Sequence, residues 1–290
     1  MSRDWTVESL GRGVFLFRWL KGFYLSPFVV GARGVTAFDP ISDAAAVAYR
    51  SAIASVTDLP LTRLVYSHDH RDHICGGHTL AAGFDCEVCA HEAAHRKVAA
   101  RGDADILRPT TVLGDGAVLA DGAARIDVHD FGPNHSDSNL IFVLSTDRGR
   151  LLVWVDGVEP GVAPYRNLPD TDFAGYLHSL EQAAIVDHDY IVGGHTGPGD
   201  KRWLTDYREY LLRLLEATRT AYAEVGGQMP RPGEDGVEMT ERVRGEVTAL
   251  AASRLADQAG QLGRFGDWSG FRQWAPQTSD RILSFIITGN

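Results

Sequence analysis

Residues 67–73 read Ser-His-Asp-His-Arg-Asp-His and follow directly on the run 61–66, which is apolar, rich in leucine and valine, and of strand length. Three imidazoles and two carboxylates crowded into so short a stretch cost desolvation unless something binds them. A strand that delivers such a string displays it at the carboxyl edge of a sheet, where α/β folds hold their ligands. The chain must therefore build a sheet behind this edge and bring further partners to it. His68 and His70 are two apart, so an extended backbone aims both rings to one side and lets them share a metal. Asp72 and His73 come after a turn and can address a second ion ~3.5–4 Å away, the spacing of two-metal hydrolases.

Distant partners of the same kind exist. His135 sits in the segment 131–139, a loop with Gly132 and Pro133 that precedes a strand-like run. Asp156 ends the apolar run 151–155, and His195 follows another short strand in Gly193-Gly194-His195-Thr196-Gly197. Each is a metal-capable side chain at a strand end, with glycine close by to permit near backbone approach. Taken singly each is weak; together they outweigh a reading of 67–73 as a solvated loop.

The rest of the pattern supplies the scaffold. Strands are expected over 13–19, 28–31, 34–38, 61–66, 86–90, 125–129, 140–145, 150–155 and 190–192, with a polar turn at 146–149 making a hairpin. Helices are expected over 44–56, capped by Ser42 or Asp43, and over 77–82, 91–100, 172–186, 201–225 and 237–255. The stretch 226–236, broken by Gly227, Pro230, Pro232 and Gly233, reads as a linker. This alternation predicts an α/β catalytic domain over 1–200 and a helical extension over 201–290 packed on it. There is no internal sequence repeat, although strands lead into helices in both halves.

Composition narrows the function. A net charge of −10 and the absence of any Lys/Arg cluster argue against a nucleic-acid partner. No apolar run approaches the roughly 20 residues that cross a bilayer. Residues 1–10 carry Arg3, Asp4 and Glu8 and show no signal-peptide core, so a cytoplasmic protein is expected. Cys75, Cys86 and Cys89 are an odd set; Cys86 and Cys89 lie in a strand pattern that points them apart, so they read as small buried thiols rather than a zinc or redox pair. His91-Glu92-Ala93-Ala94-His95 matches the zincin string, but a surface helix is preferred because the other seven residues already form a complete ligand set. His78, His129, His178 and His188 read as surface or satisfied core histidines, and Arg202, Arg208 and Arg213 as the solvated face of a helix.

The ordered set His-x-His-x-Asp-His, then His135 in its loop, Asp156 at a strand end and a late Gly-His at 194–195 resembles the metallo-β-lactamase superfamily over roughly residues 10–200. The resemblance implies an α/β fold, an αββα sandwich with its site at one edge. It implies that His68, His70 and His135 bind one metal, that Asp72, His73 and His195 bind a second, and that Asp156 bridges them. A bridging Asp is a feature of the lactonases and glyoxalase II rather than of the true β-lactamases. The acyl-homoserine lactonases also carry a Tyr three residues after it; here Glu159 stands there, with Tyr165 or Tyr176 as possible substitutes.

An all nitrogen and oxygen ligand set suits two Zn²⁺ ions and also accepts Mn, Fe or Co. A water shared by two such ions ionises near neutrality and can attack a lactone, ester, thioester or amide carbonyl. Asp72 is the candidate to shuttle a proton to the leaving group, and Asp39 is a candidate outer partner for a ligand His or, equally, a helix cap. Candidate pocket walls are Phe23, Tyr24 and Phe28 in an early loop, Phe131, Tyr165, and Trp268, Phe271 and Trp274 in the tail, which favours a small hydrophobic substrate. The tail is also a candidate homodimer interface. The alternatives are a non-haem iron oxidoreductase similar to the persulfide dioxygenases, and a β-lactamase.

Overall fold

Alternation along one strand decides the layering. In β2 (Val14–Trp19), Val14 and Leu16 enter one apolar cluster while Phe17 and Trp19 enter another on the opposite side. A strand buried on both faces needs cover on both, and the chain provides a second sheet on one side and helices on the other. The computed structural model describes residues 4–262 and 264–289, so the first three residues of the stretch read for a signal peptide lie outside the described residues. The first sheet runs in sequence order from β1 (Trp5–Gly11) through β2, β3 (Tyr24–Val30), β4 (Val35–Phe38), β5 (Leu61–Val65) and β6 (Glu87–His91) to β7 (Thr111–Leu113). Its neighbours are antiparallel up to β4 and parallel from β4 onward. The second sheet holds β8 (Val118–Asp121), β9 (Ala124–His129), β10 (Ile141–Thr146), β11 (Gly149–Val153), β12 (Tyr190–Val192) and β13 (Gly199–Asp200), in the order β13-β12-β11-β10-β9-β8. Only β11 and β12 are parallel there.

The sheets pack face to face through Leu16, Leu25, Phe38 and Val65 from one and Val128, Phe142, Leu151 and Val153 from the other, with the Phe38 and Phe142 rings 5.0 Å apart edge to face. Over the outer face of the first sheet lie α1 (Asp43–Ala54), α3 (Gly77–Ala81) and α4 (Glu92–Arg101), while α2 (Arg71–Ile74) forms a single turn after β5. Over the second lie α5 (Phe173–Ile185), α6 (Arg202–Val225), α7 (Gly236–Leu262) and α8 (Phe271–Thr288), which share one apolar cluster with Ile141, Leu152 and Ile191. The result is an αββα sandwich. Ser42 caps α1 by accepting from Ala45 N.

Several elements depart from the sequence reading. The segment 23–28 is not a loop: β3 begins at Tyr24 and runs through Pro27, which is tolerated because pairing with β4 starts only at Phe28. The strand β1 lies outside the expected strands although its partly buried Trp5 and Val7 alternate with exposed Thr6 and Glu8, and β7, β8 and β13 have four residues or fewer. Helix α7 continues to Leu262, beyond the expected end at 255. Helix α8, with Pro276 within it, falls inside the expected helical extension over 201–290 but is not among the individually expected helices. None of the cysteines is paired; Cys89 is buried between the sheets as expected, whereas Cys86, just before β6, is only partly buried on the helical side, and Cys75 is likewise partly buried.

Phe28 is corrected from pocket wall to core. It is fully buried, stacks on Phe15 at 5.0 Å and meets Tyr49 edge to face at 5.8 Å, because its position in β3 points it at α1 and away from the site. Phe28→Ala should cost about 3–5 kcal/mol in denaturant unfolding. The number of metal ions bound by the surviving folded fraction should not change.

Candidate metal centre

Parallel strands deliver the site. Loop 66–70 leaves the carboxyl end of β5, so His68 and His70 project there, and the turn of α2 carries Asp72 and His73. His135 comes from the loop between β9 and β10, Asp156 lies three residues past β11, and His195 lies three past β12. These seven side chains converge: His68, His70, His135 and Asp156 form one group of ligand atoms within 4.8 Å of one another, and Asp72, His73 and His195 form another. Asp156 is the hub. Its Oδ2 lies 3.2 Å from His73 Nε2, 3.5 Å from His135 Nε2 and 3.7 Å from His68 Nε2, and its Oδ1 lies 3.1 Å from His195 Nε2.

The outer nitrogen of most rings is already engaged. His195 Nδ1 lies 3.1 Å from Phe23 O; a carbonyl only accepts, so Nδ1 carries the hydrogen and Nε2 turns inward. His68 Nδ1 meets Ser67 Oγ at 2.9 Å, and His70 Nε2 meets Asp170 Oδ2 at 3.2 Å, leaving His70 Nδ1 facing His135 Nε2 at 3.2 Å. His73 Nδ1 lies 3.9 Å from Asp39 Oδ2, and Asp39 Oδ1 accepts from Ser67 N at 2.8 Å. At that distance the two atoms make no hydrogen bond, so Asp39 faces His73 as a nearby charge only, and the cap of α1 belongs to Ser42.

Inward-facing atoms are left without partners. His68 Nε2, His73 Nε2 and Asp156 Oδ1 are buried and make no hydrogen bond. Lone pairs of nitrogen and carboxylate oxygen aimed at each other repel unless a proton or a cation lies between them. Burial would lower the His73 imidazolium, but Asp156, Asp39 and Asp72 outweigh it and raise His73 to about 10. Burial works to raise the Asp156 carboxyl, yet His73, His195 and His135 hold it well below its usual range. Burial, helped by the neighbouring imidazoles, pushes His135 down to about 4 and His68 well below its ordinary value. A proton is thus concentrated on His73 while His68 and His135 stay neutral. The donor set fits divalent cations, with the nitrogen and oxygen chemistry of zinc, manganese, iron or cobalt.

Several non-glycine residues here have left-handed backbones, among them Phe23 at φ 58°, Asp39 at φ 29°, Asp156 at φ 60°, Leu168 at φ 49° and Asp170 at φ 64°. Such conformations gather at functional sites, where surrounding structure over-determines them.

Beside the ligands lies a cavity of about 460 Å³ bounded by Tyr24, Val162, Ala163, Pro164, Tyr165, Leu168, Pro169, Tyr176, Tyr207 and Trp274, with Glu159 and Thr196 on its polar side. Tyr24, Tyr165 and Trp274 are therefore walls. The other proposed walls are not. Phe23 is 76% exposed and contributes only its carbonyl. Phe131 stacks on His129, and Trp268 packs among Trp203, Tyr207, Tyr210 and Phe265 in the helical cluster; Phe271 is buried in that same cluster. Large aromatics fill cores more often than pockets, and these three do so. Tyr176 lines the cavity, but its hydroxyl donates to Gly157 O. The phenol that touches a ligand is Tyr24, whose hydroxyl donates to Asp72 Oδ2 at 3.1 Å.

Other residues were not foreseen. Asn134 accepts from Trp154 Nε1 at 3.3 Å and from His135 N at 2.6 Å, shaping the third ligand loop. Asp170 orients His70 from 100 positions away in sequence, which no local pattern signals. His91, half of the zincin-like string, caps α4 through Nδ1 and places Nε2 3.1 Å from Asp130 Oδ2, so both its nitrogens are taken. Arg202, Arg208 and Arg213 pair with Asp200, Glu181 and Glu209 and stay away from the cavity.

No protein-family model matches the chain. Among solved structures it is similar to a metallo-β-lactamase from Pontibacter korlensis (TM-score 0.60, 16% identity, 71% of this chain and 99% of that one). It is also similar to a metallo-β-lactamase from Hirschia baltica (TM-score 0.58, 18% identity, 71% and 97%). The chain has the metallo-β-lactamase fold. In sequence it is 27% identical over 177 residues to the 2,4-dinitroanisole O-demethylase subunit alpha of Nocardioides sp. (strain JS1661). That match takes in 60% of this chain and spans about half of the relative's length, 53%.

Below pH about 10 His73 holds a proton in the metal-free protein, and it must lose it to ligate. Metal uptake at pH 8 should therefore expel at least one proton per protein, with affinity rising as pH rises towards 10. Calorimetry in buffers of different ionisation enthalpy measures this, and uptake without proton release would contradict the arrangement.

Proposed function

We propose that this protein is a dinuclear metal-dependent hydrolase acting on small, neutral, largely apolar esters or lactones. The observation that carries the reading is a ligand set with inward, unpartnered nitrogen and oxygen atoms, opening onto an aromatic and aliphatic cavity lined by no Lys or Arg. His68, His70 and His135 would hold one ion, Asp72, His73 and His195 the other, and Asp156 both. Bound there, divalent ions supply Lewis acidity and bring the ionisation of water close to neutral pH. Zinc is the preferred ion for this donor set.

The chain's own groups do the rest. Asp72 is half-exposed at the cavity, and its Oδ2 can take a proton and return it to the leaving oxygen. Burial and the Asp72 charge push the Tyr24 phenol up, so it stays a neutral donor at that carboxylate. Tyr165 and Trp274, edge to face at 5.2 Å, form a wall that orients a flat or apolar group and excludes water. Anionic substrates such as glutathione thioesters and β-lactams would meet no cationic side chain at the cavity wall. The relative's name describes action on 2,4-dinitroanisole, a neutral aryl ether, and such a ring suits these walls. Among the described residues no helix is long and apolar enough to cross a membrane.

Metal quantification on the purified protein, followed by assay of aryl esters, lactones, glutathione thioesters, β-lactams and nitroaryl ethers, tests this. Two metal ions per chain and highest kcat/KM on the neutral substrates are expected. Asp156→Ala should lower metal affinity beyond the ~10–100-fold that loss of an outer-shell partner costs and remove turnover with it. A single iron with oxygen consumption would move the protein to the oxidoreductases, and full activity in the Asp156→Ala protein would refute the bridging role.

A further inference from the structure

Glu159 spends a partly buried carboxylate on one loop. Its Oε1 accepts from Gly194 N at 2.6 Å and from His195 N at 3.1 Å, and its Oε2 accepts from Thr196 N and Thr196 Oγ1, both at 2.8 Å. All these donors belong to three consecutive residues centred on a ligand histidine. The chain makes room for the arrangement, since a Cβ on Gly193 would overlap the carboxylate and one on Gly194 would overlap Val155 and Asp156. The backbone of Glu159 is anchored from behind: the Tyr207 hydroxyl of α6 accepts from Glu159 N at 3.1 Å and donates to Val162 O at 2.5 Å. Beyond the loop, Phe23 O holds His195 Nδ1.

We propose that Glu159 is a positioning residue for the second metal: its carboxylate sets the 194–196 backbone and so fixes His195 Nε2 opposite Asp156. A carboxylate is the group this task needs. It offers only acceptors to a row of donors, whereas an amide would turn an N–H against them. Charge-assisted bonds to several N–H groups also hold a loop more firmly than neutral ones do. The consequence is unequal. His68, His70 and His135 have no contact with Glu159, so the first metal should not feel its loss, while the second, which depends on His195, should. Through Tyr207, which holds the Glu159 main chain, helix α6 is tied to the same residue.

The proposal rests on the two-metal reading above, and Zn²⁺ titration of metal-free protein against a chromophoric chelator separates the two. Wild-type protein should bind two equivalents. Glu159→Gln should bind the first within about threefold of wild type and the second about 10–100-fold more weakly, the range for loss of a ligand's outer partner. With Co²⁺ as probe, the absorption bands gained with the second equivalent should shift or vanish while those of the first persist. A purely structural role would instead lower stability and weaken both equivalents alike. Thr196→Val, which removes only the hydroxyl contact, should weaken the second equivalent in the same direction by a smaller factor, and it decides the matter if Glu159→Gln does not fold. Two equivalents bound with wild-type affinities by the variants would overturn the positioning role and leave the two-metal reading standing. A wild-type protein that takes up no second zinc would overturn both.

Discussion

The structure is organised around an electrostatic conflict at Asp156. Its two oxygens lie within 3.7 Å of four imidazole nitrogens, so a proton or a cation must lie between these atoms to offset the repulsion of their lone pairs. Burying such an arrangement costs free energy that no surface contact would justify. A cation between these atoms converts repulsion into attraction, and in its absence a proton on His73 is the partial substitute. The strained backbone at Asp156, Asp39 and Phe23 shows the surrounding layers holding the conflict in place.

That holding power comes from the two sheets. Strands β5, β11 and β12 end at one edge of the sandwich, and the cluster between the sheets, with Phe38 against Phe142, keeps those edges in register. One sheet brings His68, His70, Asp72 and His73, and the other brings His135, Asp156 and His195. A shift of one sheet against the other would pull the groups apart. The helices beyond the second sheet then shape access, since Trp274 from α8 and Tyr207 from α6 close the apolar side of the cavity. The same region that supplies substrate walls therefore also steadies Glu159.

The ligand residues were legible in the sequence because each is a metal-capable side chain placed just after a strand-like run, a local pattern that survives without any tertiary information. The strands β2, β5, β10 and β11 were legible for the same reason. Their apolar runs are long enough to dominate their neighbours. Edge strand β1, with its mixed exposure, and the short β7, β8 and β13 carry no such signal. Pro27 lies inside β3 and Pro276 inside α8, where the missing N–H falls outside the part of the ladder that needs it or is tolerated within a long packed helix. The pocket was read least well: Phe28, Phe131, Trp268 and Phe271 are as apolar as Trp274, and side-chain chemistry alone does not say which way a ring points.

By itself the sequence determined the donor set, the layered α/β character and the acidic, cation-poor composition, since these depend on residue identity and on period along the chain. Only the tertiary structure decided that Asp156 is the hub, that Asp170 meets the His70 ring, that Glu159 grips the His195 loop and that Tyr24 is the phenol at the site. Those are contacts between residues tens to more than a hundred positions apart, as between Phe23 and His195. Their geometry is set by how two sheets and a helical layer pack, and no local pattern carries it.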